Sequence, residues 1–181
     1  MKSNTLDSLK YPIGHFSCPK EISKEQLHNW ILVLENFPKK LQDLVVNLND
    51  TQLNTPYRPE GWSVRQLIHH IADSHHHSYT RFKWSLTEDK PVIKAYEEKD
   101  WAMLTDATTA PIVLSLNYIT ALHAKMVYLL KLLSVEQLQL EFIHPADSSK
   151  VSVAENIGRY AWHSNHHYAH IENLCKREGW L

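Results

Sequence analysis

Residues 63–82 read SVRQLIHHIADSHHHSYTRF. Apolar side chains in this segment recur at steps of three and four residues, which places them on one face of an α-helix. They are Val64, Leu67, Ile68, Ile71, Tyr79 and Phe82. Ser63 and Gln66 have the spacing of a capping box, which is typical of the start of a helix. The segment therefore predicts a long amphipathic helix.

Three further segments carry the same apolar spacing and predict three more helices. They lie at residues 27–48, 116–133 and 157–175. The first and the last follow capping boxes that begin at Ser23 and Ser152. Pro38 lies inside the first segment and is expected to break or kink it. Four long amphipathic helices predict an all-α protein built as a four-helix bundle.

Residues 141–153, directly before the last helix, predict a short hairpin or loop insertion, because two β-prone runs flank a Pro, Asp and Ser cluster. The chain shows no internal repeat and no low-complexity segment. We therefore expect a single domain over residues 1–181, with residues 1–20 as an N-terminal arm.

The amino-acid composition limits the classes of partner that this protein is expected to bind. The 19 Lys and Arg residues against 20 Asp and Glu leave no basic excess for binding a phosphate backbone. The two cysteines fit a reduced cytoplasmic chain rather than a disulfide scaffold. The N-terminal residues lack the apolar run of a signal peptide, and polar residues interrupt the most apolar segment, 112–133. We expect a soluble cytoplasmic protein that binds neither nucleic acid nor membrane.

Histidine is unusually frequent. Nine of the 13 histidines fall within residues 69–77 and 163–170. Residues four apart on a helix share a face, and two imidazole nitrogens on one tetrahedral zinc ion lie roughly 3.3 Å apart. A pair of histidines at this spacing can therefore bind one ion, and two pairs have it: His163 with His167, and His166 with His170.

The helical projection separates the two pairs. His167 lies roughly 80° and His163 roughly 120° from the centre of the apolar face of the last helix, at the edge of a cleft between helices. His166 points nearly opposite the apolar face and His170 lies roughly 140° away, so both are expected to be solvated. The projection favours His163 and His167 as metal ligands.

The second histidine segment supplies the candidate for a third ligand. His70 projects roughly 110° from the apolar centre of its helix and His69 roughly 150°, which favours His70 and leaves His77 in reserve. His75 projects inward and is expected to be a core histidine, whereas His123 shows no pattern that indicates a role. The alternative is a solvated, histidine-rich surface without metal.

Asp73 and His69 are the candidate groups for proton transfer. Asp73 follows His70 by three residues and could orient His70 or His69, although a solvated surface charge is the alternative interpretation. The sequence contains no His-Glu-x-x-His, no Gly-x-Ser-x-Gly and no P-loop. These absences argue against a zinc protease, a serine hydrolase and a P-loop nucleotide enzyme.

Two longer stretches resemble the DinB/YfiT-like superfamily, and its YfiT branch in particular: GWSVRQLIHHIADSH at residues 61–75 and YAWHSNHHYAHI at residues 160–171. The shorter motifs at residues 11–14, 55–58, 81–88 and 179–180 are similar to the same branch. The resemblance covers essentially the whole chain. One departure is Asn165, which stands where the YfiT pattern has a histidine at a position that binds no metal.

The resemblance implies an up-down-down-up four-helix bundle, a homodimer, and one zinc or nickel ion per subunit held by three histidines. By motif these ligands correspond to His70, His163 and His167, the three residues that the projection favours.

Members of the YfiT branch are described as metal-dependent hydrolases, so the resemblance implies a hydrolase that acts on a small molecule. Other relatives are similar to S-transferases that use bacillithiol, mycothiol or glutathione, or to a thiol-dependent isomerase. Three neutral ligands leave an open coordination position, where the pKa of a water falls to about 7 and a thiol is deprotonated. The alternatives to hydrolysis are therefore S-transfer of a bacillithiol-type thiol to an electrophile, and a non-catalytic metal-binding stress protein.

Overall fold

The computed structural model of the chain describes residues 7–181, so the first six residues of the expected N-terminal arm lie outside the described residues. Helices and strands follow one another in the order α1 (Lys24–Val45), α2 (Asp50–Leu53), α3 (Val64–Thr87), α4 (Glu98–Trp101), α5 (Thr105–Thr109), α6 (Ile112–Leu130), α7 (Val135–Leu138), β1 (Glu141–Ile143), β2 (Lys150–Ser152) and α8 (Val153–Arg177).

The four long helices of the described residues, α1, α3, α6 and α8, form a four-helix bundle, as the sequence predicts. Helix α1 packs against α6 and α8, and α3 packs against the same two helices from the other side. The first two long helices along the chain, α1 and α3, therefore lie diagonally opposite each other in the bundle. This arrangement places α3 beside α8, the two helices that carry the histidine segments.

The core is divided into two apolar clusters along the bundle axis. One contains Ile71, Ile119 and Ile171, and the other contains Phe82 and Met126. On each of α3, α6 and α8, buried histidines lie in sequence between residues of the two clusters. The bundle therefore holds a layer of imidazoles between two apolar layers.

Side-chain caps define where three of the long helices begin. Ser63 accepts a hydrogen bond from the Gln66 N–H while the Gln66 side chain accepts one from the Ser63 N–H, which confirms the capping box predicted for α3. Ser23 and Ser152 cap α1 and α8 through a single bond each, from the N–H of the third residue of the helix. These caps satisfy backbone N–H groups in the first turn of each helix and so stabilise the two helices that present the histidines, α3 and α8.

Of the two outcomes predicted for Pro38, a break or a kink, the break does not occur. Helix α1 continues through it from Lys24 to Val45, with the proline ring buried. A proline has no N–H, so the carbonyl of Leu34, four residues earlier, lacks its helical partner. The Nδ1 atom of His123 on α6 lies 2.6 Å from this carbonyl oxygen and satisfies it. A cross-helix hydrogen bond therefore makes the proline tolerable.

The predicted hairpin before the last helix is present. Strands β1 and β2 pair antiparallel, with Phe142 opposite Val151. The connection between α3 and α4 joins this hairpin, because Ile93 donates its N–H to the Ile143 carbonyl at 3.1 Å. Phe142, Val151 and Ile93 form a small cluster of their own against Trp84. The hairpin thereby anchors the segment that carries Tyr96 toward the histidines.

Helix α6 is long and apolar enough to cross a membrane by length and composition alone. In the structure it is a bundle helix, with Ile119, Leu122 and Met126 buried against α1 and α3. Two buried polar residues on its inner face, Ser115 and His123, make hydrogen bonds to other elements. Its apolar content therefore serves the core of the bundle.

Candidate metal centre

Helices α3 and α8 bring His70, His163 and His167 together at the edge of the imidazole layer. One ring nitrogen from each of the three lies within 4.8 Å of the others. The Nε2 atoms of His163 and His167 are 3.0 Å apart, close to the roughly 3.3 Å edge of a tetrahedral zinc site. The His70 ring centroid lies 5.1 Å from that of His167 and 5.5 Å from that of His163. This geometry fits a single ion.

All three histidines are held neutral, which is the form that binds metal. Burial, reinforced by the neighbouring imidazoles, lowers the pKa of His70 to about 4 and holds the pKa values of His163 and His167 well below the ordinary range. Imidazole nitrogens suit zinc and nickel, and three of them leave a coordination position for a reactant. The donor set therefore fits a catalytic rather than a closed structural site.

A cavity of about 370 Å³ leads to this group, and His163 forms part of its wall. Its other walls include Arg81, Arg159, Tyr96 and Tyr160. The Arg81 guanidinium lies 3.5 Å from the Tyr160 hydroxyl, whereas Arg159 pairs with Glu155. A larger cleft of about 700 Å³ lies near the start of α1 and has no histidine in its lining. The smaller of these two cavities therefore gives solvent a route to one of the candidate ligands, His163.

The structure gives Asp73 and His69 different surroundings from those of the three histidines. Both nitrogens of the His69 ring are occupied: Nε2 donates to the Ala110 carbonyl at 3.2 Å, and Nδ1 accepts from the Ser115 hydroxyl at 2.7 Å. Asp73 is half-buried and makes no hydrogen bond to His69 or His70. Burial, and then the charge of Asp106, raises the pKa of Asp73 to about 6. Hydrogen bonds within the protein thus hold both nitrogens of His69, whereas the carboxyl of Asp73 titrates near pH 6.

His166 and His170 are buried, contrary to the sequence prediction that both are solvated. They are 7% and 4% exposed, and their Nε2 atoms lie 3.1 Å apart. Trp162 stacks on the His166 ring at 4.5 Å, and Tyr57 packs on the His170 ring at 4.3 Å. Tyr57 belongs to a segment between helices, so a projection of α8 alone cannot include it. With His167, these two rings form a second group of close nitrogens.

Three further histidines, which do not belong to either group, are in contact with other aromatic rings or hydrogen-bond partners. His75 is fully buried and hydrogen-bonded, which confirms its predicted place in the core. His77, the reserve ligand, stacks on Tyr96 at 4.2 Å and does not join the group. His123, for which the sequence indicates no role, is buried and contacts His75 at 2.7 Å. The sequence signal that could have revealed His123 is Pro38, because the carbonyl freed by the proline requires a donor.

A family model of the DinB superfamily matches residues 34–171, which include the second half of α1, all of α3 and α6, and most of α8. The chain belongs to the DinB superfamily. The matched range contains both histidine segments, so the candidate metal centre lies within the part of the chain that defines the family.

Relatives within the DinB superfamily extend over nearly the whole chain. A protein of Bacillus subtilis named "Putative metal-dependent hydrolase YfiT" is 47% identical over 176 residues, covering 97% of this chain and 99% of that protein. A protein of Oceanobacillus iheyensis with a name of the same type is 48% identical over 171 residues, covering 94% of this chain and 98% of that protein.

The solved structure of the Bacillus subtilis protein superposes with a TM-score of 0.94 at 46% identity, covering 96% of this chain and 99% of that one. It is described as "a probable metal-dependent hydrolase with an unusual four-helix bundle topology". The recognition of the family and the bundle architecture from the sequence are thereby confirmed.

Proposed function

We propose that this protein is a metal-dependent hydrolase whose divalent ion is held by His70, His163 and His167. The observation that carries the proposal is the 3.0 Å approach of two Nε2 atoms, on His163 and His167, next to a third neutral imidazole. Two imidazole nitrogens this close share either a proton or a metal ion. The cavity beside His163 supplies the route for a substrate.

A divalent ion bound here would act as a Lewis acid and would bring the pKa of a water in its open position to about 7. The residues of the chain then have separate tasks. Arg81 lines the cavity and forms no ion pair with a described carboxylate, so its guanidinium is available to the negative charge that develops on a substrate during hydrolysis. The Tyr160 hydroxyl, 3.5 Å from Arg81, can orient the same group.

Asp73 is the group that we propose for proton transfer. A carboxyl with a pKa of about 6 is matched to general acid–base catalysis near neutral pH. Its charge acts on Tyr96, whose hydroxyl lies 3.5 Å from His70 Nδ1. His69, the other candidate, has both ring nitrogens engaged in hydrogen bonds and is therefore poorly suited to exchange protons.

Metal analysis of purified variants tests the ligand set. We expect His70→Ala, His163→Ala and His167→Ala each to abolish stoichiometric zinc or nickel, because two remaining imidazoles hold an ion weakly. His166→Ala is the matched control, since it removes a buried imidazole of the same helix outside the proposed triad. Equal loss of metal in all four variants would contradict this choice of ligands.

The reaction is tested with metal-loaded protein on a panel of esters and amides, with and without a low-molecular-weight thiol such as bacillithiol. Hydrolysis that requires the metal and no thiol supports the proposal. Conjugation of an electrophile such as monochlorobimane that requires both thiol and metal would instead indicate S-transfer. Absence of any turnover would indicate a binding role. The small-molecule substrate, the homodimer and the cytoplasmic location remain predictions from the sequence.

A further inference from the structure

A buried carbonyl on α1 is the starting point of a chain of imidazoles that ends at the candidate metal centre. Pro38 deprives the Leu34 carbonyl of its helical partner, and His123 Nδ1 lies 2.6 Å from the oxygen. Because a carbonyl can only accept, His123 must carry its proton on Nδ1.

The chain continues through two contacts between ring nitrogens. His123 Nε2 lies 2.7 Å from His75 Nδ1, and His75 Nε2 lies 3.1 Å from His163 Nδ1. The three rings come from α6, α3 and α8, so the chain crosses the bundle. His75 and His123 are 0% and 1% exposed, and solvent therefore cannot replace either partner.

Proton positions along this chain follow from the carbonyl, because each contact between two nitrogens holds a single proton. His123 has its proton on Nδ1, so its Nε2 accepts and His75 must donate from Nδ1. The Nε2 of His75 then accepts in turn, and His163 must donate from Nδ1. The only ring nitrogen left without a proton at the end of the chain is His163 Nε2, which faces His167.

We propose that His75 and His123 are positioning residues that fix His163 in the tautomer with Nδ1 protonated and Nε2 free for metal. What this tautomer means for metal binding rests on the proposed function, in which His163 is a metal ligand. A hydrogen bond to the second nitrogen of a metal-binding histidine sets its tautomer and ring orientation. His167 has no such support, because its buried Nδ1 atom has no hydrogen-bond partner among the described residues.

Burial is consistent with this arrangement. It lowers the pKa of His123 to about 4, so that this ring is neutral and carries a single proton. Phe37 packs on both inner rings, with centroids 5.7 Å from His75 and 5.7 Å from His123. The rings therefore have little freedom to rotate away from their partners.

The direct test uses the full-length, metal-free protein with ¹⁵N-labelled histidine. Long-range ¹H–¹⁵N correlation spectra distinguish a protonated ring nitrogen from a bare one. We expect His123, His75 and His163 each to carry the proton on Nδ1, and the proton in the 3.0 Å contact to belong to His167. A spectrum that places the His163 proton on Nε2 would overturn the inference.

Variants of His123 test the consequence for metal binding, because this residue does not touch the proposed ion. His123→Phe removes the acceptor for His75 and allows the chain to reverse, and we expect zinc affinity to fall about 10–100-fold. His123→Gln retains a donor and an acceptor and should stay near the wild-type affinity. His28→Phe, on the exposed surface of α1, should leave affinity unchanged. Equal affinity of the Phe and Gln variants would contradict a positioning role.

The two proposals can fail separately. The tautomers are measured without metal, so they decide the inference even if His123→Phe does not fold. Absence of stoichiometric metal in the wild-type protein would overturn the proposed function and leave the tautomers of the chain readable. A wild-type protein that binds metal but carries the His163 proton on Nε2 would overturn the inference alone.

Discussion

His69 and His70 are neighbours in the sequence, yet their rings have different partners. His69 lies between Ser115 and the Ala110 carbonyl, so both its nitrogens are bonded within the protein. His70 contributes a nitrogen to the group formed with His163 and His167. At the scale of the residue, what faces each ring nitrogen decides whether a buried imidazole is structural or available to an ion.

Asp73 gives a prediction at this scale. Its folded-state pKa of about 6 lies above the ordinary value of 3.8, so the unfolded state ionises first as the pH rises and stability falls between about pH 4 and pH 6. Asp73→Asn removes this loss. We expect the variant to unfold at a higher temperature than the wild type at pH 7.5, with a difference that shrinks below pH 6. Thermal unfolding across this range measures it.

The same substitution should lower activity by about 10²–10⁴-fold, because the amide cannot exchange a proton with the reactant. Asp106→Asn is the matched control: it keeps the Asp73 carboxyl and its burial, which is the main cause of the raised pKa, but removes the exposed charge that raises this pKa further. We expect Asp106→Asn to keep activity and to move the acidic limb of the pH profile to lower pH. An Asp73→Asn variant with full activity would exclude this residue from proton transfer.

Helix α3 shows how an element positions the site. Its reciprocal cap at Ser63 and Gln66 fixes the first turn, and His70 and His75 follow on one continuous helix. Because a helix turns about 100° per residue, the apolar face that packs against α6 and α8 fixes the direction of every histidine on the helix. The cap and the apolar face together hold the rings in register.

Removing this cap should destabilise the protein. Ser63→Ala leaves the Gln66 N–H without its partner, and we expect the free energy of unfolding to fall by about 1 kcal/mol. Ser134→Ala removes the same type of box from α7, a four-residue helix with no buried residue, and should cost less. Urea denaturation of both variants provides the comparison. A larger effect at Ser134 would contradict the importance of the α3 cap.

At the scale of the whole molecule, the imidazole layer makes stability depend on pH. Burial lowers the pKa values of His70, His123 and His166 to about 4 and that of His170 to about 3. Below the ordinary pKa of 6.5 the unfolded state therefore binds more protons than the folded state. Above about pH 6.5 the histidines are neutral in both states and cost the folded state no stability. The free energy of unfolding then decreases as the pH falls toward 4.

We therefore expect the melting temperature of the metal-free protein to fall between pH 6.5 and pH 4. Zinc or nickel should raise the melting temperature at pH 7.5, because an ion that binds only the folded state stabilises it by mass action. This increase should vanish on acidification, since protons compete for the ligands. Calorimetry with and without metal measures both effects, and a melting temperature independent of pH would contradict the neutral histidine layer.

Much of the bundle could be predicted from the sequence because helices are local. The spacing of Ile68, Ile71 and Phe82 defines the face of α3, and Ser63 defines its start, without information from elsewhere in the chain. The pair His163 and His167 follows from the same periodicity, since a spacing of four residues brings two rings together on any helix. The projection also favoured His70, which the structure brings to this pair.

Which residues pack over the outer face of each helix was decided by the tertiary structure. The predictions of exposure were wrong where those residues belong to segments outside the long helices. The His170 ring is covered by Tyr57, and the His166 ring lies 5.9 Å from that of Tyr11; both tyrosines belong to segments outside the long helices. Helix α1 passes through Pro38 because His123 satisfies the freed carbonyl from 89 residues away. Such partners depend on which helices are neighbours, and the periodicity of a single segment carries no information about its neighbours.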